Sequence, residues 1–322
     1  MRKALVSGFT LTLALLAAPV AAQEAWPARP VKLIVPSSPG GGTDLFARLL
    51  GQALSEALKQ QFIVDNRPGA SGNIGAAAAA KSAPDGYTFL VSANPALTVN
   101  PGLYKSLPYD AERDFAPVAR GVLAPQVFCV HESVPAKTLA DLVALGKREP
   151  GALPFASAGT GSPTYLGIRM LEEVSGARFT HVPYKGVGQA YQDFLGGQVK
   201  FMFPDVASVI PHIRSGKIRA LAVTQKTPLL PGTPTLAEAG FANVDLFTSF
   251  SVVAPAGTPA AIVHRLGEEI NKAMKSASLA EKLAAQALVP VFDTPEQFAA
   301  SLKKERDGWT AFIRRNGIVQ EE

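Results

Sequence analysis

From residue 31 to residue 224 the chain alternates short apolar, β-branched runs with runs of helical periodicity. Residues 31–36 read as a strand and 44–59 as a helix. Residues 62–66 read as a second strand, 74–81 as an alanine-rich helix, and 87–91 as a third strand. A second set takes strands at 126–131, 153–157, 179–184, 199–203 and 218–224, with helices at 138–148, 164–174, 189–195 and 207–215. Such runs, joined by short polar loops, predict an α/β fold of mixed, mostly parallel sheets with helices on both faces. Residues 101–125, rich in proline and aromatics, read as a connector. Residues 126–130 and 250–254 flank the second set and read as antiparallel hinge strands. The chain then returns to its first unit through helices at 260–275, 279–287 and 295–316. The expected division is one lobe of 23–123 with 250–322 and another of 124–249.

Two glycine-rich passages interrupt this rhythm. Val35-Pro-Ser-Ser-Pro-Gly-Gly-Gly-Thr-Asp44 leads from a strand into a helix, and Ser157-Ala-Gly-Thr-Gly-Ser-Pro163 does the same. A helix start carries unpaired N–H groups and a partial positive charge, and glycine lets a ligand approach the backbone. Two such starts, facing each other, suggest a clamp for a small anion.

The first residues belong to a different category. Met1-Arg2-Lys3 is basic, 5–18 is apolar, and Val20-Ala21-Ala22 ends in small residues. This pattern predicts a secretory leader over 1–22 and a periplasmic mature protein. Loss of Arg2 and Lys3 leaves 29 of the 31 basic residues against 26 acidic ones, a net charge of +3 rather than +5. The remaining charge is scattered, with no stripe of Lys and Arg interleaved with aromatics, so nucleic acid is not an expected partner. The lone Cys129 lies in an apolar run and reads as buried.

The ordered set of motifs resembles the Bug/TctC family of periplasmic receptors for tripartite tricarboxylate transporters. It comprises the 35–44 loop, Val64-Asp-Asn-Arg-Pro-Gly-Ala-Ser-Gly-Asn-Ile-Gly75, Pro84-Asp-Gly-Tyr-Thr88, Gly159-Thr-Gly-Ser-Pro163, His181-Val-Pro-Tyr-Lys-Gly186 and Ala254-Pro-Ala-Gly-Thr-Pro259. The resemblance implies a two-lobed Venus-flytrap binding protein of type II-like form, without catalysis, cofactor or metal. It also implies a small organic carboxylate held in the cleft by Ser37, Gly41, Gly42, Thr43 and Asp44, with Thr160, Gly161 and Ser162 opposite. A monomer that meets membrane transporter subunits, or a sensor kinase, is the expected form. The chain departs from the family's pattern where Ser37 and Ser38 replace an aromatic–proline pair and Tyr165 replaces a histidine. Met202-Phe-Pro-Asp205 displaces the acid by one position, and Phe247-Thr-Ser-Phe250 stands where tryptophan is common.

Further candidates each have a plainer reading. Asp205 either accepts a ligand donor or caps the helix after it, and Asp44 either touches ligand or steadies its helix. Tyr184 and Lys185 either wall the cleft or are solvated, and Asn94 either bonds ligand or shapes a turn. The four histidines (His131, His181, His212, His264) lack metal-ligand spacing. No Gly-x-Ser-x-Gly nucleophile turn is present. An exported α/β hydrolase using Asp44 or Asp205 is the rival reading.

Overall fold

The computed structural model describes residues 26–184, 187–244 and 246–319, so the expected leader of 1–22 and Lys185 lie outside the described residues. Among the described residues, eleven strands form two sheets. The first runs β11 (Val289–Pro290), β4 (Phe115–Ala124), β10 (Thr248–Pro255), β3 (Thr88–Ala93), β1 (Val31–Val35), β2 (Phe62–Asn66). The second runs β7 (Thr180–Pro183), β6 (Pro154–Ser157), β8 (Phe201–Met202), β5 (Val127–His131), β9 (Ile218–Val223).

Helices α1 (Gly42–Leu58), α2 (Asn73–Ala80), α3 (Pro95–Thr98) and α4 (Asn100–Leu103) belong to the first unit. The second contributes α5 (Leu139–Arg148), α6 (Pro163–Ser175), α7 (Val187–Leu195) and α8 (Val206–Arg214). The chain ends with α9 (Ala260–Lys275), α10 (Ala277–Ala285) and α11 (Pro295–Arg315).

Strand alternation decides which helices cover which face. Leu33, Val91 and Val252 point to one side of the first sheet, under Phe46, Leu50, Leu266 and Leu283 of α1, α9 and α10. Ile34, Leu90 and Val253 point to the other, under Ala76, Leu97, Phe298 and Leu302 of α2, α3 and α11. The second sheet is layered likewise, with Phe128 and Phe155 against Leu142 and Leu166, and Cys129 and Met202 against Phe194 and Val209. Each fully buried side chain of this size contributes about 1.5–3 kcal/mol by leaving water.

Two expectations are corrected. Of the nine strand pairings among the described residues, five are antiparallel and four parallel, so the sheets are mixed without being mostly parallel. The hinge strand paired with β10 is β4, from Thr248 opposite Ala124 to Pro255 opposite Phe115, whereas β5 sits inside the second sheet. β4 was hidden in the presumed connector because it carries Pro117 and Gly121. Both are accommodated where the register with β10 shifts. Gly121 has φ +77, and a Cβ there would lie 2.6 Å from the Phe250 carbonyl oxygen.

The last turns of α11 leave the first unit. Phe312, Ile313 and Ile318 join the core cluster of the second, together with Val99 and Leu103. Arg315 Nε lies 2.8 Å from Glu173 of α6.

Candidate functional site

The first glycine loop is shaped by a carboxylate turned inward. Gly41 caps α1 in extended conformation with no side-chain capping bond. Asp44 Oδ2 accepts from the Gly40 N–H and from Arg48 Nε, both at 2.9 Å. Its Oδ1 accepts from Asn66 Nδ2 at 2.9 Å, and the same amide donates to the Ser37 carbonyl at 3.1 Å. Burial pushes the Asp44 pKa up, but the bonds from Arg48, Gly40 and Asn66 outweigh it and hold the carboxyl below its ordinary range. All the side chain's acceptors thus serve the loop. The N–H groups of Gly42, Thr43 and Asp44 are left without partners among the described residues, as the first turn of a helix dictates. Ser37 Oγ is buried and also unpartnered.

The second loop is built differently. The Ser162 hydroxyl donates to the Gly159 carbonyl at 2.7 Å and accepts from the Tyr165 N–H at 3.3 Å, so it is occupied as the α6 cap. Ser157 Oγ lies 2.7 Å from His181 Nε2, and accepts from the Gly159 N–H at 3.1 Å. Burial, then the nearby Arg169 charge, lowers the His181 pKa to about 4, so the ring is neutral near pH 7. The Tyr165 ring lies 4.6 Å from the His181 ring. Thr160 is partly exposed. A Cβ on Gly161 would meet Leu103 at 2.5 Å and Asn100 at 3.9 Å, so at Gly161 this loop packs against α4.

Two other candidates hold the frame together. Asn94 Nδ2 donates to the Phe247 carbonyl and its Oδ1 accepts from the Ser249 N–H, each at 3.2 Å, tying β3 to β10. The Tyr184 hydroxyl donates to Asp193 at 2.7 Å, and burial with that carboxylate pushes its pKa up to about 12.

A cavity of about 180 Å³ lies between the units. Gly40, Gly42, Leu45 and Phe250 form one wall, Ala124 and Pro125 of the hinge its back, and Asp205, Ala207 and Ser208 the other wall. Gln286, Ala287 and Leu288 close it. Two helix starts from opposite lobes do converge here, but they are those of α1 and α8 instead of α1 and α6. Asp205 occupies the N-cap position of α8 without making a capping bond. Burial pushes its pKa up to about 6. No cation lines the cavity among the described residues. At about 30 Å³ per water, its volume corresponds to some six waters, the scale of a small metabolite. A second cavity of about 400 Å³ lies on the opposite face of the first sheet, between Arg120, Phe247, Met170 and Trp309.

The residues that sequence reading missed fall into two groups. Ala207 and Ser208 follow Asp205 at a helix start and were within reach of it. Residues 286–288 carry no signal, because they meet the cleft only through the return of the chain after β10.

Two α/β lobes joined at paired hinge strands around a cavity of metabolite size define a solute-binding receptor. The chain belongs to the tripartite tricarboxylate transporter family receptors (TctC), whose pattern matches residues 46–318. It is 39% identical over 315 residues to protein BugT of Bordetella pertussis (strain Tohama I), covering 97% of this chain and 96% of that one. Among solved structures, R. palustris Rpa4515 with adipate is 34% identical with a TM-score of 0.83, covering 91% of this chain and 99% of that one. MatC from Rhodopseudomonas palustris with bound malate is 28% identical with a TM-score of 0.79, covering 89% of this chain and 100% of that one.

Proposed function

We propose that this protein is a periplasmic receptor that captures a small organic carboxylate between its lobes and presents it to a transporter of the tripartite tricarboxylate type. The observation that carries this reading is the start of α1, where, among the described residues, Gly40, Gly42 and Leu45 line a small interlobe cavity with no lining cation and the N–H groups of Gly42, Thr43 and Asp44 have no partner. A 17-residue helix directs about half a positive charge at that point. Each N–H bond to a carboxylate there is worth about 1.5–3 kcal/mol. Ser37, Gly41 and Thr43 complete the first wall, with Asp205 and Ser208 opposite. Thr160 and Gly161 extend the site along the seam toward α4, while Ser162, Tyr165 and Tyr184 frame it; Asn94 lines the cavity on the opposite face of the first sheet instead. The adipate and malate of the two solved relatives are of the same chemical class.

Binding without catalysis fits the same geometry. The Ser157–His181 pair offers no nucleophile, because Ser157 is fully buried and its hydroxyl anchors the second loop. The sheets support a lobe division near 123/124 and 249/250, and the basic–apolar–small pattern of 1–22 supports export. The test is thermal stabilisation and titration calorimetry against a panel of three- to six-carbon acids, with product analysis. The expected result is one-to-one binding with no turnover. Product formation, or no binding across the panel, contradicts the reading.

A further inference from the structure

Asp205 is the one charged side chain among the described residues lining the interlobe cavity. It stands at the α8 N-cap without capping the helix, and its carboxylate makes no hydrogen bond or ion pair with a described residue. Because the residue is only half-buried, a ligand seated against it withdraws the carboxylate further from water and must either supply donors or leave it with a desolvation penalty. Across the same 180 Å³ stands the start of α1 at Gly40 and Gly42, and the free N–H groups of a helix start draw in the anionic end of a ligand. A ligand whose other end is a second carboxylate meets like-charge repulsion from Asp205. One whose other end offers O–H or N–H fills the acceptors that the protein leaves open. Resting on the receptor reading above, we propose that Asp205 selects small carboxylates that also carry a hydroxyl or ammonium donor, against plain acids of equal length.

The surroundings of Asp205 make its charge the deciding quantity. Tyr191 of α7 faces it, its own pKa raised by burial and by the Asp205 charge, and stays neutral. Ser208 of α8 donates to the Asp205 carbonyl rather than to its carboxylate. From the first lobe come the neutral Gln286 and the α1 wall, where Asp44 is occupied by Gly40, Arg48 and Asn66. With a pKa raised to about 6, Asp205 is an acceptor near pH 7.5 and becomes a donor below about 6.

The test is calorimetry near pH 7.5 on three matched sets: propionate, lactate and alanine; succinate, malate and aspartate; glutarate, 2-hydroxyglutarate and glutamate. Wild type, Asp205→Asn and Asp205→Ala are compared. We expect wild type to prefer a donor-bearing acid over its plain counterpart by at least about tenfold, and both variants to lose that preference. A preference below about tenfold, or one that the variants keep, overturns the assignment of Asp205 alone. Failure of wild type to bind any of the nine overturns the receptor reading with it. A second readout needs no ligand. The Asp205 carboxyl is raised above its ordinary 3.8, so its contribution to stability is present below that value and is lost as pH rises through about 6. Unliganded Asp205→Asn should therefore melt above wild type near pH 7.5 and level with it near pH 4. A variant that melts no higher near pH 7.5 removes the premise of an unfilled, half-buried carboxylate.

Discussion

Single side chains in the two glycine loops have different physical duties, and substitutions should separate them. Asp44→Ala strands the Gly40 N–H, Arg48 and Asn66 together, so we expect a loss of about 2–4 kcal/mol in unfolding free energy and weaker ligand binding. Because its folded pKa is depressed, the stabilisation is present above the ordinary carboxylate value and lost as pH falls through the lower folded one. Urea unfolding of wild type and variant should accordingly converge in strong acid. Thr43→Val should weaken binding by about 1–2 kcal/mol in calorimetry with little change in stability, because its hydroxyl has no partner among the described residues. Ser162→Ala should do the reverse, costing about 1 kcal/mol of stability through the lost cap and leaving affinity intact. From sequence, Thr43 and Ser162 looked alike. What separates them is whether a nearby residue satisfies the hydroxyl, and that depends on the positive-φ turn at Gly159, which composition does not encode.

At the scale of elements, the helix and strand periods were legible wherever runs were uniform. The α9 helix falls where its periodicity placed it, at Ala260–Lys275. The period failed where a strand carries breakers, as in β4 with Pro117 and Gly121, since those residues are tolerated only opposite a partner whose register slips. It failed too for α3 and α4, each four residues long and below the reach of any helical pattern. Close helix packing then sets what glycine permits. A Cβ on Gly75 would lie 2.7 Å from Pro36 Cα and 2.8 Å from the Arg67 carbonyl oxygen, both backbone atoms that cannot give way. Gly75→Ala should destabilise by about 1–3 kcal/mol and disturb the first loop, which starts at Pro36. Gly308, inside α11, has nothing within 4 Å of the equivalent position. Gly308→Ala should raise stability by about 0.5–1 kcal/mol, and chemical denaturation of the two variants side by side would show the opposite signs.

At the scale of the molecule, the lobes are joined by more than the hinge, because α11 begins on the first sheet and ends in the second core. Phe298 and Leu302 lie in one cluster, Phe312 and Ile313 in another. Wild type should therefore unfold in one calorimetric transition. Phe312→Ala should lose about 3–5 kcal/mol and resolve it into two. The exposed Arg315–Glu173 pair should contribute under about 1 kcal/mol in a double-mutant cycle. The interlobe site was legible from sequence only by halves. The α1 wall announced itself in Gly40-Gly-Gly-Thr-Asp44, whereas residues 286–288 and α8 reach it through tertiary folding alone. Both halves meet in the claim that an anion is held by main-chain N–H groups of α1, opposite Asp205. A crystal structure of the protein with the acid that it binds tests this directly. The account predicts carboxylate oxygens within about 2.7–3.2 Å of the Gly42 and Thr43 nitrogens. A ligand seated instead beside Arg120 and Trp309, on the far face of the first sheet, would contradict it.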